Sequence, residues 1–503
     1  MRRASCTLLL LAALAAPAGT ALAQERPAGP LARELARYFQ ARRWRNATWG
    51  ALVVSLTTGD TLFSWRADRR FTPASNAKLF TTAAALHYLG SDYRFLTVLF
   101  ADGPVSNGTI FGDLVLYGTG DPTFALDTAS LAPFADSVVR AGIRLVRGDI
   151  VGDASFLGAE LSGPGWSPDN LDEAYAAPPS ALGAAENRIR VVVEPGPKPG
   201  APATFRLDPE SDYYRIANTV QTGRPRSRTK IAVRHGRARG VVALSGSIAV
   251  TRARWSTDLV VQDPAVFAAG MLRQLLEARG VRIGGGTRAS TDDAPGRARL
   301  ILPHSAGGGE ALPGALAVRR SASLDELVTM INHRSHNLSA ELALRSIGRV
   351  RGNSGTFASG ARLVRQYLTD DVRVSADAVQ ITDGSGLSLL DQASPRALVQ
   401  LLAHERHDGD GAFYRSLPLV GEGIRKRMTR TAAFGRLRAK TGTLTGVSAL
   451  SGYVTTSNGE ELAFSLIVNG SPSTSKARGV LDSIGAHLAG LSRETAPARA
   501  AGN

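Results

Sequence analysis

Cysteine is almost absent from this sequence. Its 503 residues include one cysteine, Cys6, which lies in a segment that we expect to be removed. The remaining chain would then lack a disulfide, a thiol nucleophile and a thiolate metal site. A long chain can bury enough apolar surface without disulfides, so their absence does not argue against export.

Hydrophobic runs long enough to cross a bilayer are also missing. The apolar stretch at residues 8–16 is too short for a span. It follows Arg2 and Arg3 and precedes an Ala-Leu-Ala sequence at 21–23, which is the arrangement of a signal peptide. We therefore predict a signal peptide at 1–23 and an exported protein that acts in the periplasm or otherwise outside the cytoplasm.

Acidic residues are outnumbered by basic ones. The chain has 43 Asp and Glu against 59 Lys and Arg, a formal net charge of +16. This charge favours anionic partners, but export and the lack of interleaved aromatic and basic residues argue against nucleic acid. An anionic envelope polymer or peripheral contact with a membrane surface fits the charge better. A basic surface that serves solubility fits it equally well.

Lysine is scarce, because it accounts for six of the 59 basic residues. Arginine cannot lose its proton in a protein, whereas burial can lower the pKa of a lysine enough for its amine to act as a base. In a chain that nearly always uses arginine, each lysine is therefore a candidate for chemistry.

The pattern Ser-x-x-Lys occurs three times, starting at Ser75, Ser227 and Ser473. An Ala-rich apolar run that ends at Gly90 follows Ser75 and predicts a buried helix. Positions three apart share a helix face, so the Lys78 amine can reach the Ser75 hydroxyl. The other two copies lie in a basic loop and at the start of a late surface helix.

Two further short motifs follow in the C-terminal part. Ser335-His336-Asn337 lies between a helix predicted to reach Asn332 and one predicted over 338–347, where a side chain could project into a cleft or simply cap a helix. Lys440-Thr441-Gly442 lies on a predicted strand over 437–443. Gly442 has no side chain, so we expect a substrate backbone to lie close against it.

Together the three motifs are the set found in penicillin-binding proteins and class A β-lactamases. The chain resembles the class C low-molecular-mass penicillin-binding proteins, the D-alanyl-D-alanine carboxypeptidase/endopeptidases of the DacB type (peptidase family S13). The likeness covers nearly the whole chain after residue 23 and includes the stretches at 73–79, 118–122, 163–166, 177–182 and 383–388. The long interval between Lys78 and Ser335 is typical of this family and not of compact β-lactamases. His336 is a departure, since many members carry Asp there.

The resemblance implies an α/β (α+β) fold, the serine β-lactamase/DD-peptidase domain, in which helices flank an antiparallel sheet. Residues 24–90 and 312–490 would form this discontinuous domain. Residues 91–311 would form one or two inserted β-rich domains, and 491–503 a disordered tail.

The resemblance also implies the reaction. Ser75 would attack the carbonyl between two D-alanines and form an acyl-enzyme, with neutral Lys78 taking its proton. Ser335 would pass a proton to the leaving D-alanine, and Asn337 would bind the substrate amide. Backbone N–H groups of Ser75 and Thr443 would form the oxyanion hole. The identity of the general base is disputed across the wider superfamily.

For substrate binding, the resemblance implies that Lys440 and the hydroxyls of Thr441 and Thr443 hold the terminal carboxylate. It also suggests that Asp169 and Tyr175 contact the stem-peptide side chain, although a buried structural Tyr175 is an equal alternative. The substrate would be peptidoglycan, and β-lactam antibiotics would acylate the nucleophile. We expect no cofactor and no metal, because His404 and His407 are three residues apart and not four as on a zinc-binding helix.

Two rival functions share these motifs. A β-lactamase would need an activated water for rapid deacylation, and no Glu is clearly placed for that by the sequence. A catalytically silent peptidoglycan-binding scaffold would not need the intact motifs. The motifs fit a carboxypeptidase and an endopeptidase equally well.

Overall fold

The computed structural model describes residues 29–124, 128–236, 240–292, 297–305, 312–424 and 427–493. The predicted signal peptide at 1–23 and most of the predicted tail at 491–503 lie outside these ranges. None of the helices within them combines the length and the hydrophobicity that a bilayer crossing requires.

The helices in these ranges surround the sheets described below. They are α1 (Pro30–Gln40), α2 (Ala77–Leu89), α3 (Ala132–Arg140), α4 (Pro264–Glu277), α5 (Arg297–Ser305), α6 (Leu324–Arg334), α7 (Asn337–Gly352), α8 (Phe357–Asp370), α9 (Pro395–His407), α10 (Ala412–Ser416) and α11 (Thr474–Gly490).

The strands cluster in four stretches of the chain. They are β1 (Thr48–Ser55), β2 (Thr61–Trp65), β3 (Leu96–Asp102), β4 (Val105–Ser106), β5 (Thr109–Ile110), β6 (Asp113–Gly118), β7 (Leu145–Val146), β8 (Ile150–Asp153), β9 (Arg188–Glu194), β10 (Thr204–Asp208), β11 (Arg215–Asn218), β12 (Gln221–Gly223), β13 (Lys230–His235), β14 (Val241–Ala249), β15 (Trp255–Val260), β16 (Arg282–Ile283), β17 (Thr287–Ser290), β18 (Ala315–Arg320), β19 (Val379–Gln380), β20 (Gln392–Ala393), β21 (Leu437–Leu444), β22 (Val447–Thr455) and β23 (Glu461–Asn469).

The central sheet has five antiparallel strands in the order β2–β1–β23–β22–β21. Its side chains alternate between two cores, because successive residues of a strand point to opposite faces. Leu450 and Leu466 pack with α1 and α11 on one face, whereas Ala449 and Ile467 pack with the helical layer on the other. The sheet is therefore covered on both sides, and its inner strands β1, β22 and β23 are almost wholly buried. Together these layers confirm the predicted α/β fold class.

The helix α2 lies at the centre of the helical layer. It contacts α6, α7 and α8, and every residue from Ala77 to Ala85 is buried. A helix that is buried all round has no polar face, which agrees with the apolar run seen in the sequence. Its first turn therefore holds Lys78 in the interior of the protein.

The chain between α2 and α6 is rich in strands and has its own core. Its largest sheet has the order β17–β8–β6–β3–β18. The strand β18 pairs with β3 and begins at Ala315, so this sheet takes a strand from beyond residue 311. The same core includes Leu338 and Leu342 of α7, which joins the β-rich part to the helix that follows the second motif.

The helices on either side of Ser335 are longer than the sequence predicted. The helix α6 continues to Arg334 and α7 begins at Asn337, which leaves Ser335 and His336 as the connection. Ser335 has left-handed backbone angles, with φ 54° and ψ 40°. One left-handed residue is enough to end a helix, so the break is shorter than a run of loop-favouring residues suggested.

Candidate active site

Ser75 lies in a short 3₁₀ turn, Ala74–Asn76, immediately before α2. Two glycines allow other segments to close against this turn. A Cβ on Gly386 would lie 1.9 Å from the Ala74 carbonyl oxygen, and a Cβ on Gly442 would lie 2.8 Å from that of Pro73. From the sequence, we expected that Gly442 lacks a side chain because a substrate backbone lies close against it. The structure shows that the chain's own Ser75 turn, with Pro73 before it, occupies that side.

Lys78 is fully buried and its amine has three partners. The Nζ atom lies 3.1 Å from Ser75 Oγ, 2.7 Å from Asn337 Oδ1 and 2.7 Å from the Ser385 carbonyl oxygen. Burial lowers the pKa of Lys78 to about 8. The negative charges of Glu341 and Asp383 oppose this shift. The amine can therefore be neutral close to physiological pH.

Ser335 and Lys440 form a second hydroxyl–amine pair. Lys440 Nζ donates to Ser335 Oγ at 2.8 Å and to the Thr441 carbonyl oxygen at 2.9 Å. Burial lowers the pKa of Lys440, and the charge of Lys78 lowers it further. The two amines are thus close enough to influence each other behind the two hydroxyls.

Asn337 connects the Ser75–Lys78 pair to the segment that carries Tyr175. Its Oδ1 accepts from Lys78, and its Nδ2 donates to the Tyr175 carbonyl oxygen at 2.8 Å. An ammonium group has no acceptor, so the Lys78 contact fixes which end of the amide faces inward. Asn337 is the first residue of α7, and its backbone is therefore held by a packed helix.

One open cavity of about 400 Å³ joins these groups. Its lining includes both motif hydroxyls and Thr443, and its described lining residues are Ser75, Asn170, Tyr175, Ser335, Asn337, Gly386, Leu387, Thr443, Leu444 and Thr445. Lys78 and Lys440 lie buried behind this surface. Residues from three distant parts of the sequence thus share one cleft.

Thr441, Gly442 and Asp169 are absent from that described lining. Asp169 is exposed on the turn Pro168–Asn170. Tyr175 does line the cavity, and it is 48% exposed, with its hydroxyl donating to Asn170 Oδ1 at 2.9 Å. The alternative of a buried structural Tyr175 is therefore wrong.

The side chain of His336 contacts neither the Ser75 nor the Ser335 hydroxyl among its hydrogen-bond and ionic partners, which are Ser339 and Glu186. Its Nδ1 lies 2.6 Å from Ser339 Oγ, and its Nε2 lies 3.9 Å from Glu186 Oε2. Burial lowers the pKa of His336. In the part of the chain that the structure describes, no cluster of three or more His, Cys, Asp or Glu side chains is arranged to hold a metal ion.

Sequence reasoning assigned no role to the loop 383–388, which closes the cavity from behind. The Asp383 carboxylate accepts the backbone N–H groups of Gly386 and Ser388, each at 2.7 Å, and the Trp166 indole N–H at 2.8 Å. Glu341 accepts two more amides of the loop, from Gly384 at 2.6 Å and Ser385 at 2.9 Å. The available signal was a short Asp-Gly-Ser-Gly run, since its two glycines permit such close packing.

Comparisons with known proteins agree with this geometry. Residues 31–490 match the D-Ala-D-Ala carboxypeptidase 3 (S13) family. The chain is 32% identical over 473 residues to the D-alanyl-D-alanine carboxypeptidase of Actinomadura sp. (strain R39), covering 90% of this chain and 83% of that protein. It is 25% identical over 409 residues to the D-alanyl-D-alanine carboxypeptidase DacB of Haemophilus influenzae, covering 79% and 80%.

The fold is also similar to a solved structure. The crystal structure of penicillin-binding protein 4 (DacB) from Haemophilus influenzae superposes with a TM-score of 0.77 at 21% identity, covering 90% of this chain and 98% of that one. The family match spans the three motifs, the cleft between them and the β-rich part. The chain therefore belongs to the D-Ala-D-Ala carboxypeptidase 3 (S13) family.

Proposed function

We propose that this chain is a serine D-alanyl-D-alanine peptidase that acts on peptidoglycan stem peptides and cross-links through an acyl-enzyme on Ser75. The observation that carries the proposal is the placement of the fully buried Lys78 amine 3.1 Å from Ser75 Oγ, at the wall of an open cleft. A hydroxyl is a weak nucleophile until an adjacent base removes its proton.

The partners of Lys78 favour its role as that base. A neutral amine has two N–H donors and one lone pair. The Asn337 and Ser385 oxygens are acceptors, so they take the two donors and leave the lone pair for the Ser75 hydroxyl. Arginine could not replace it, because the guanidinium keeps its proton.

The second pair serves the leaving group. When Ser75 Oγ bonds to the carbonyl carbon and the peptide C–N bond breaks, the departing D-alanine amine needs a proton. Ser335 Oγ opens to the cleft and accepts from Lys440 Nζ at 2.8 Å, so this hydroxyl can give its proton to the amine and take one from the Lys440 ammonium. The proton that Lys78 removed from Ser75 balances the one that Lys440 gives up. Water then hydrolyses the ester and restores Ser75.

Lys440 lies buried behind the lining of the cleft and would act on the substrate through its charge. Its amine is held by Ser335 and by the Thr441 carbonyl, so its positive charge attracts the terminal carboxylate while Thr443 offers the exposed hydroxyl. The strand β21 is an edge strand of the central sheet, and an edge can pair with an extended peptide. Backbone N–H groups of Ser75 and Thr443 would stabilise the oxyanion, and Asn337 would bind the substrate amide.

Peptidoglycan is the proposed substrate and β-lactams are the proposed inhibitors. The Haemophilus influenzae protein of matching fold was solved in complex with a β-lactam. The export predicted from residues 1–23 would place the enzyme with this substrate. Asp169 and Tyr175 stay proposed contacts of the stem-peptide side chain, and Tyr175 has the better support because it lines the cavity.

Labelling with a fluorescent penicillin tests the site. We expect the wild-type protein to be labelled and Ser75→Ala to remain unlabelled. Ser227→Ala is the matched control, since it removes the serine of another Ser-x-x-Lys sequence outside the described cavity lining, and it should label like the wild type. Equal labelling of Ser75→Ala would contradict the proposal.

Chromatography of digested, pentapeptide-rich and cross-linked sacculi separates the two peptidase activities. Shortened monomers report carboxypeptidase activity, and loss of dimers reports endopeptidase activity. If neither appears while penicillin still labels Ser75, the silent scaffold is the better reading. Fast nitrocefin turnover would favour a β-lactamase, although no Glu belongs to the described lining of the cavity.

A further inference from the structure

Beneath the proposed base lies a carboxyl group that the reaction above does not use. Glu341 is on α7, one turn after Asn337, and is fully buried. Its two oxygens accept the backbone N–H groups of Gly384 and Ser385 at 2.6 Å and 2.9 Å. Both acceptors are thus used by one short loop, and Glu341 is not part of the described cavity lining.

This loop carries the carbonyl that orients the base. Ser385 donates its backbone N–H to Glu341 Oε1 at 2.9 Å and to Asp383 Oδ1 at 3.1 Å, and its own carbonyl oxygen accepts from Lys78 Nζ at 2.7 Å. A shift of the loop would remove one of the two acceptors that direct the Lys78 lone pair at Ser75. Glu341 is therefore linked to Lys78 through a single residue, Ser385.

Charge couples the same two groups. Burial and the charge of Asp383 raise the pKa of Glu341 to about 8, and the charge of Lys78 acts in the opposite direction. Glu341 in turn acts to raise the pKa of Lys78. When two groups interact this way, protons leave the pair and not one residue alone.

Other titratable groups interact with one or both members of the pair. They are Asp383 in the loop, Asp391 after it, Arg345 on α7, His336 before α7 and Lys440 on β21. Burial and the charge of Asp383 also raise the pKa of Asp391 well above its usual value. Glu341 differs from the two aspartates because it alone of the three accepts from both Gly384 and Ser385.

We propose that Glu341 is a positioning residue for Lys78: it fixes the Ser385 carbonyl that directs the amine at Ser75, and its charge sets how readily the amine gives up its proton. The inference rests on the proposed function, because it assumes that Lys78 is the base. It assigns a task to a buried side chain outside the three motifs.

The rate of penicillin acylation against pH tests the proposal in the full chain. In the wild type the rate should rise with pH as Lys78 loses its proton. Glu341→Gln keeps the side-chain length but offers one acceptor oxygen to two amides, so the plateau rate should fall about tenfold. It also removes the negative charge that Glu341 gains over the same pH range in which Lys78 loses its proton, so the midpoint of the profile should move to lower pH.

Glu341→Asp separates the two effects. It keeps the charge but shortens the reach to the loop, so the plateau should fall while the midpoint moves less than in Glu341→Gln. The labelled fraction at completion normalises each rate for folded protein. Glu405→Gln is the matched control, since Glu405 is a buried carboxyl of raised pKa that contacts Tyr367 and lies away from the cleft.

A Glu341→Gln profile with the wild-type midpoint and plateau would overturn the inference, provided that labelling still depends on Ser75. A loss of labelled fraction with an unchanged midpoint and unchanged normalised rate would also overturn it, because it would show a structural role alone. If the wild type is not labelled, or if Ser75→Ala labels equally, the proposed function itself has failed.

Discussion

The proposed role of Lys78 depends on loss of a proton and not on its charge. Lys78→Arg keeps a positive charge near Ser75 but supplies a group that stays protonated. We expect the acylation rate to fall about 1,000-fold, within the range that general base catalysis contributes. Stopped-flow or gel-based labelling with a fluorescent penicillin measures this rate.

Lys476→Arg is the control for that substitution. Lys476 belongs to another Ser-x-x-Lys sequence and is exposed on α11, so the substitution should leave labelling unchanged. An acylation rate of Lys78→Arg within a few-fold of the wild type would contradict the role of Lys78 as base and would point to another proton acceptor.

Individual residues differ in how far the sequence could predict them. The contact between Lys78 and Ser75 could be predicted from the sequence, because positions three apart share a helix face. The contacts of Glu341 could not be predicted, because its partners are backbone amides of a loop that lies 43 residues away in the chain. Gly442 was recognised as a close-approach position, but the neighbour that requires it, the Pro73 carbonyl, becomes visible only once β21 lies against the Ser75 turn.

Among the elements, the loop 383–388 has little freedom where it passes the Ser75 turn. Gly386 has φ 76°, and a Cβ there would lie 1.9 Å from a backbone oxygen of the turn. Gly386→Ala should therefore displace the loop and lower the acylation rate about 100-fold, as misplacement of about 1 Å can do in an active site. Penicillin labelling together with a thermal melt checks this.

Gly142→Ala is the control for Gly386→Ala, because it separates the effect of backbone strain from that of the steric clash with the Ser75 turn. Gly142 has a similar φ of 75°, but a Cβ there would meet no atom within 4 Å. We expect this variant to lose about 1–2 kcal/mol of stability from the left-handed backbone and to keep the wild-type acylation rate. Equal rates in the two alanine variants would show that contact between the loop and the turn is not needed.

The boundaries of the elements were less predictable than their existence. The buried helix after Ser75 and the strand carrying Lys440 could be predicted from the sequence, and both are present. The ends of α6 and α7 were misplaced, because Ser335 and Asn337 favour loops in isolation. Packing of α7 against α2 and α8 extends the helix through residues that have weak helical preference.

At the scale of the whole molecule, Arg345 ties the β-rich part to the helical layer. It is fully buried on α7 and donates to the carbonyl oxygens of Leu157 at 2.7 Å, Glu160 at 2.6 Å and Gly355 at 2.7 Å, and to that of Pro179. Arg345→Met would leave these buried acceptors without a donor. We expect a loss of about 3 kcal/mol in the free energy of unfolding.

Chemical denaturation with Arg478→Met as control measures this loss. Arg478 is exposed on α11, so its replacement should change stability by no more than about 0.5 kcal/mol. An Arg345→Met variant as stable as this control would show that the β-rich part is held by its apolar contacts with α7 alone.

The family resemblance implied a β-rich region between the first two motifs, but no sequence pattern revealed how it is attached. The side chains that attach it, such as Leu338, Leu342 and Arg345, read in the sequence as ordinary helix residues. Their function depends on partners more than 100 residues away, including Glu160 and Pro179.

The central sheet joins β1 to β23, and Ser55 donates to Glu460 across 405 positions of the chain. Contacts of such long sequence separation form late, since a large loop must close first. Pairing of β1 with β23 must therefore wait for the last strands, and the Ser75 turn cannot pack against β21 and β22 until these strands are made. An incompletely synthesised chain would accordingly be inactive, and any reaction at Ser75 would begin only after synthesis has ended.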